Sequence, residues 1–228
     1  MKTLSTLVAC LALCSVAAAT PIVAIYGSGN PNTGWTAETE NGITLALRAK
    51  NRTNGSTPTD GLGTYSFANA PGPRGLWNYE FSINSGTAML TAFTYVLRVD
   101  RDPSAGILYS SVDPLSYWWD NSYGVAGTLN GQGVEGPSFM LAGSNSIVQN
   151  SQNITFGGYP GGALALEQNA TYNYQLVAFN GQGQQVADVS MRVVVGQGGA
   201  AVPDTGSTVA LLGLSMLALV GFRRRQAR

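Results

Sequence analysis

The sequence predicts an all-β fold, a single β-sandwich of immunoglobulin-like or jelly-roll-like kind, on three observations. The chain is rich in Gly, Ser, Thr, Asn, Val and Tyr, and only 11% of its 228 residues are charged. Its apolar residues alternate with polar ones in short runs, which is the period of a strand with one face buried. Between the runs lie clusters of Gly, Pro, Asn and Asp, whose backbone preferences favour turns.

Taken in order, the first run is Gly42 to Lys50, where Ile43, Leu45, Leu47 and Ala49 fall on one face and Thr44, Ala46, Arg48 and Lys50 on the other. Gly63 to Ala68 is a second, shorter strand. In Trp77 to Asn84, the face of Trp77, Tyr79, Phe81 and Ile83 opposes that of Asn78, Glu80, Ser82 and Asn84, so Trp77 is expected in the core and Glu80 in solvent. Ala92 to Asp100 repeats the pattern through Phe93, Tyr95, Leu97 and Val99, and Gly106 to Ser110 follows as a further strand. Residues 110–162 alternate little and are rich in Gly-Pro pairs and glycine, so long connections and short strands are expected there. The last two runs, Thr171 to Asn180 and Gln185 to Val195, read as a hairpin closed by Asn180-Gly181-Gln182-Gly183, because an Asn-Gly pair between alternating runs favours a tight reversal.

Both ends of the chain read as processing signals. Lys2 supplies a minimal positive region, Leu4 to Val16 an apolar core and Ala17-Ala18-Ala19 the small residues that signal peptidase requires. Residues 1–19 are therefore expected to be a secretory signal peptide, with Ala17 and Ala19 at the cleavage positions. Leu7-Val8-Ala9-Cys10 has the outline of a lipoprotein box, but the apolar stretch before Cys10 is too brief for a signal core. Residues 20–196 are expected to form the ectodomain and residues 197–201 a flexible Gly/Ala spacer.

Residues 202–228 divide into three parts. Val202, Pro203, Asp204, Thr205 and Gly206 form an extended turn motif that an enzyme could grip, since proline and glycine break regular structure. Thr208 to Phe222 carries no charge and is shorter than the roughly 20 residues of a comfortable membrane span. Arg223, Arg224 and Arg225 follow at once, and an arginine cluster holds that end of an apolar helix on the cytoplasmic side.

Composition excludes several kinds of chemistry. There is no histidine, and both cysteines, Cys10 and Cys14, lie in the signal peptide, so the mature chain has no disulfide, thiolate metal site, Cys nucleophile or Ser-His-Asp triad. Five of the 12 basic residues (Lys2, Arg223, Arg224, Arg225, Arg228) and one of the 12 acidic residues (Asp204) belong to the signals, leaving 7 against 11 and a mature net charge of −4. With no basic patch interleaved with aromatics, nucleic acid is not an expected partner.

The tail, over residues 202–225, resembles the PEP-CTERM class of sorting signals in the variant that reads Val-Pro-Asp-Ser/Thr-Gly, with motif, apolar helix and Arg cluster in the same order. The resemblance implies recognition by an exosortase, an integral-membrane cysteine transpeptidase of Gram-negative bacteria. It also implies transient anchoring in the inner membrane and transfer of the ectodomain to the cell surface or extracellular matrix. Pro203-Asp204-Thr205 stands where Pro-Glu-Pro is the signature, which leaves the reading enzyme open. The same residues resemble the LPXTG signal of Gram-positive sortases, with Val202 in place of leucine, and a plain anchor that is never cut is a third reading. In the ectodomain, Gly27 to Asn32, Glu40 to Ile43, Trp77 to Asn84 and Val148 to Ser151 are similar to an ectodomain type that recurs with PEP-CTERM tails. That type carries no implied activity.

Two stretches carry candidate chemistry. Tyr117, Trp118, Trp119, Asp120 and Asn121 place flat aromatic faces beside carboxylate and amide groups, as a carbohydrate-binding platform needs; Trp35 and Trp77 are further aromatics that could join it. Asp100 and Asp102, two residues apart before a Pro-Gly turn, could begin an oxygen-ligated cation site for Ca²⁺ if Asp113, Asp120 and Asn121 joined them; the alternative is a solvated turn, and no other cofactor is expected. A glycoside hydrolase would need two carboxylates across a bound sugar, and the spacing of Glu38, Glu40, Glu80 and Glu135 singles out no pair. The expectation is thus a non-enzymatic exported structural or adhesive surface protein. A carbohydrate-binding module that meets extracellular polysaccharide is the alternative, and a carboxylate-based hydrolase a third reading.

Overall fold

The structure is a computed structural model that describes residues 33–68, 76–153, 155–156, 162, 164 and 167–199. Eleven strands are described: β1 Thr36–Glu40, β2 Ile43–Asn51, β3 Thr64–Phe67, β4 Trp77–Asn84, β5 Thr94–Asp100, β6 Tyr109–Val112, β7 Ser122–Gly124, β8 Val134–Glu135, β9 Ile147–Gln152, β10 Ala170–Phe179 and β11 Gln185–Val195. They form a six-stranded sheet in the order β1-β2-β4-β9-β7-β8 and a five-stranded sheet in the order β3-β11-β10-β5-β6. The two sheets pack face to face as the predicted β-sandwich. All pairings are antiparallel except that of β3 with β11.

The core follows from the alternation. Leu45, Leu47 and Ala49 of β2 and Trp77, Tyr79, Phe81 and Ile83 of β4 are buried against Tyr95, Leu97 and Val99 of β5, Tyr172, Tyr174 and Leu176 of β10, and Val189, Met191 and Val193 of β11. Trp77 anchors one end of the sandwich, its ring stacked on Phe67 at 6.0 Å and edge-on to Tyr174 at 6.1 Å. It is therefore core, as its phase in the strand predicts.

Several elements depart from the sequence reading, each for a local reason. β1 was not expected, because Thr36–Glu40 has little apolar character. It forms because Asn41 (φ 50°) and Gly42 (φ 79°) both adopt positive φ, which makes a two-residue hairpin onto β2. The hairpin from β10 to β11 is present, but its loop is longer: Asn180 N–H bonds the Gln184 carbonyl at 3.0 Å, and Gly183 is the residue at positive φ (75°). Leu90–Ala92 is a single 3-10 turn that buries Leu90, so β5 begins at Thr94. β6 begins at Tyr109, since residues 101–108 are drawn into a loop on Asp100. Within residues 110–162 the strands are short as expected, except β9, which runs six residues through the middle of its sheet.

Of the expected spacer, residues 197–199 are described. Gln197 N–H bonds Asn169 Oδ1 at 3.0 Å and Gly199 N–H bonds Thr171 Oγ1 at 3.0 Å, so these residues are docked on the sandwich. A Cβ on Gly199 would lie 2.3 Å from the Pro103 carbonyl oxygen, a contact that only glycine avoids.

Candidate functional site

The aromatic stretch sits in the connection between β6 and β7. Asp113 opens it as a turn: its carboxylate accepts from Leu115 N–H at 2.9 Å and Ser116 Oγ at 2.7 Å, and its carbonyl accepts from Tyr117 N–H at 3.0 Å. Asn121 closes it from the other side. Wholly buried, it donates to the Pro114 and Leu115 carbonyls at 2.9 and 3.0 Å, and its Oδ1 accepts from Asn150 Nδ2 of β9 at 2.7 Å. Gln152 Nε2 donates to Asn150 Oδ1 at 3.0 Å, completing a buried amide relay from β9 to the loop.

This clamp separates the two tryptophans. Trp118 packs inward on Phe81 with ring centroids 5.7 Å apart, and Tyr117 meets it edge-on at 5.2 Å. Trp119 turns outward and is 72% exposed. The five residues expected to make one platform therefore do not: Tyr117 and Trp118 pack on the core, Asn121 is a buried bracket, and only Trp119 and Asp120 are exposed. Asp120 accepts from Asn150 Nδ2 at 3.0 Å. The partner of Trp119 is Phe139, 78% exposed, which meets it edge-on at 6.2 Å from the short helix α1, Ser138–Leu141. Sequence reasoning missed Phe139 because one aromatic in a four-residue helix has no periodic signal. Trp35 does not join either: its ring lies 4.3 Å beneath the Arg48 guanidinium.

The Asp100 loop is closed on itself. Asp100 is fully buried, and its Oδ1 accepts from Asp102 N–H at 3.0 Å and Leu108 N–H at 2.8 Å. Its Oδ2 accepts from Asn173 N–H at 3.2 Å and Asn173 Nδ2 at 2.9 Å. Asp102 in turn accepts from Ser104 N–H at 2.9 Å, and hydrogen bonds from the Ser104 side chain and then its backbone hold the Asp102 carboxyl below its usual range. Both Asp100 oxygens and Asp102 Oδ1 are thus occupied by N–H donors. Asp113 and Asp120 are used elsewhere, and no cluster of three or more metal-ligating acids, histidines or cysteines occurs among the described residues.

Glu80 corrects a third expectation. Its place on the polar face of β4 predicts solvation, yet it is 0% exposed. Register places it opposite Arg48. Arg48 Nε bonds one carboxylate oxygen and Lys50 Nζ lies 2.5 Å from the other, while Arg48 Nη1 donates to the Thr33 carbonyl at 2.7 Å. A carboxylate sealed between two cations is a structural group with no access to a substrate.

The sorting residues Val202 to Gly206, the Arg223, Arg224 and Arg225 cluster, the apolar segment 208–222 and the cleavage residues Ala17 and Ala19 lie outside the described residues. Among the described residues no helix is long and apolar enough to cross a membrane. Sequence comparison bears on the tail instead. Residues 201–226 match the family model of the VPDSG-CTERM motif. The VPDSG-CTERM match covers the residues that resemble the PEP-CTERM signal and supports an exported protein processed by an exosortase and sorted to the cell surface. No curated protein matches the chain.

Proposed function

We propose that the chain is a structural or adhesive component of the cell surface or extracellular matrix, anchored transiently in the inner membrane of a Gram-negative bacterium and released from its tail by an exosortase. The observation that carries the adhesive part is the exposure of Trp119, Val125, Leu129, Val134, Phe139 and Met140, six large apolar side chains within one 22-residue stretch. Contiguous exposed apolar surface marks contact with a partner, and within this stretch Trp119 and Phe139 meet edge-on at 6.2 Å. The absence of histidine and the sealing of Glu80 support a non-enzymatic module.

Mass spectrometry of the endogenous C-terminus in membrane and extracellular fractions tests this reading. A terminus between Val202 and Gly206, carrying an added mass, is the expected result. An intact Arg228 confined to the membrane fraction would overturn the matrix assignment.

A carbohydrate-binding module is the second reading. It is favoured by the outward face of Trp119 beside the exposed carboxylate of Asp120.

A further inference from the structure

Lys50 is the one lysine of the chain beyond the signal peptide, and it is buried. It stands near the end of β2, directly opposite Asn78 of β4. Opposite positions on an antiparallel ladder put Cβ atoms about 4.5–5.5 Å apart, well within the reach of a lysine side chain. Lys50 Nζ is 2.5 Å from Oε1 of Glu80, which lies two residues along β4 from Asn78 and on the same face. Amine, carboxylate and carboxamide thus share one corner of the outer face of the six-stranded sheet.

The carboxamide is held from two sides. Asn153 Nδ2 donates to Asn78 Oδ1 at 2.9 Å and is itself fixed on the Trp77 carbonyl at 2.9 Å. Asn78 Nδ2 donates to Ser151 Oγ at 3.2 Å, and Ser151 is the register partner of Glu80 on β9, which puts this nitrogen on the Glu80 side. Water has little access, since Glu80 is 0% and Lys50 8% exposed and the Trp35 ring covers the Arg48 guanidinium. Among the described residues the ion pairs are those of Glu80, which leaves the cluster with two cations to one anion. Burying that surplus charge is costly.

We propose that Lys50 and Asn78 join in an intramolecular isopeptide bond, formed by the folded chain itself with Glu80 as the proton carrier. Glu80 takes a proton from the Lys50 ammonium, and the freed lone pair forms the Nζ–Cγ bond. Negative charge that develops on Asn78 Oδ1 meets the Asn153 N–H. As the carbonyl re-forms, the Cγ–Nδ2 bond breaks. Of its three protons Nζ keeps one and passes two, through Glu80, to Nδ2, which leaves as ammonium. Glu80 ends as the carboxylate it began as, and every reacting group belongs to this chain. The surplus buried cation departs with the ammonium, and its escape to solvent from the half-buried Asn78 makes the step one-way. Fixed neighbours supply the proximity that an amine and an amide lack in solution. The bond ties β2 to β4 in a domain whose mature chain has no cysteine for a disulfide. It concerns the sandwich alone and does not rest on the surface-adhesive reading.

The test is intact-mass spectrometry of the purified protein, with its termini assigned by digestion. The expected mass is one ammonia below that of the sequence, and trypsin should release a branched peptide that joins residues 49–52 to residues 75–98 through Lys50 and Asn78. Lys50→Arg and Asn78→Ala should each keep the β circular-dichroism spectrum, show the full mass of their own sequences and melt at a lower Tm. Glu80→Gln should likewise stay unlinked; if it does not fold, the other two variants decide the outcome. A folded wild-type protein at full sequence mass would overturn the proposal, as would a loss of ammonia that persists in Asn78→Ala. So would a loss without the branched peptide, the signature of succinimide formation at an Asn-Gly pair.

Discussion

Arg48 and Glu80 face each other across the β2–β4 ladder and are hydrogen-bonded with relative exposures of 1% and 0%. With Lys50 on the second carboxylate oxygen, one buried anion is shared by two cations on a face that alternation assigns to solvent. Removing the anion strands both cations, and uncompensated buried charge is far more costly than the intact pair is stabilising. Glu80→Ala should therefore lower unfolding stability by about 3–5 kcal/mol, read from chemical denaturation. A loss below 1 kcal/mol would mean the cluster is open to water.

The two neighbouring tryptophans should behave in opposite ways. Trp118→Ala removes a ring packed on Phe81 and should cost about 2–3 kcal/mol, somewhat below a fully buried ring. Trp119→Ala with Phe139→Ala should stay within about 0.5 kcal/mol yet reduce attachment of cells or of the purified protein to surfaces. Denaturation curves and an adhesion assay on the same variants separate the two outcomes.

Asp100→Asn replaces a carboxylate that receives four N–H donors, one of them the Asn173 side chain. It should cost about 2–3 kcal/mol and free residues 101–108, visible as faster amide exchange at Leu108. Because those oxygens are already occupied, Ca²⁺ or a chelator should leave the Tm of the protein unchanged.

Burial raises the pKa of Tyr65, Tyr95, Tyr123 and Tyr172 above the ordinary tyrosine value near 10. In the unfolded chain the same phenols ionise near pH 10, so above that pH the unfolded state has lost protons the folded state retains. The stability contributed by these groups is fully present below pH 10 and falls as pH rises further. Tyrosinate absorbance should therefore appear together with loss of the β circular-dichroism signal in alkaline titration; appearance well before unfolding would contradict the burial.

In the tail, substitution of Arg223, Arg224 and Arg225 by glutamine removes the charge that orients the apolar segment. The variant should lose surface display, measured by protease accessibility of the ectodomain on whole cells.

The alternation in Gly42–Lys50, Trp77–Asn84, Thr171–Asn180 and Gln185–Val195 determined by itself that this chain folds as a sandwich and which side chains fill its core, because strand period and burial are local properties. The tail motif was equally legible, since a linear signal is read in an extended chain. The sequence pattern left open the fate of the outer faces. Glu80 is polar and in phase with solvent, and only pairing β2 with β4 brings Arg48 and Lys50 to it. Trp118 and Trp119 are adjacent in sequence, and only the clamp of Asn121 on Asn150 sends one ring inward and the other out. Lys50 and Asn78 lie on different runs, and the strand order that sets them opposite each other is decided by tertiary packing, which no single run encodes.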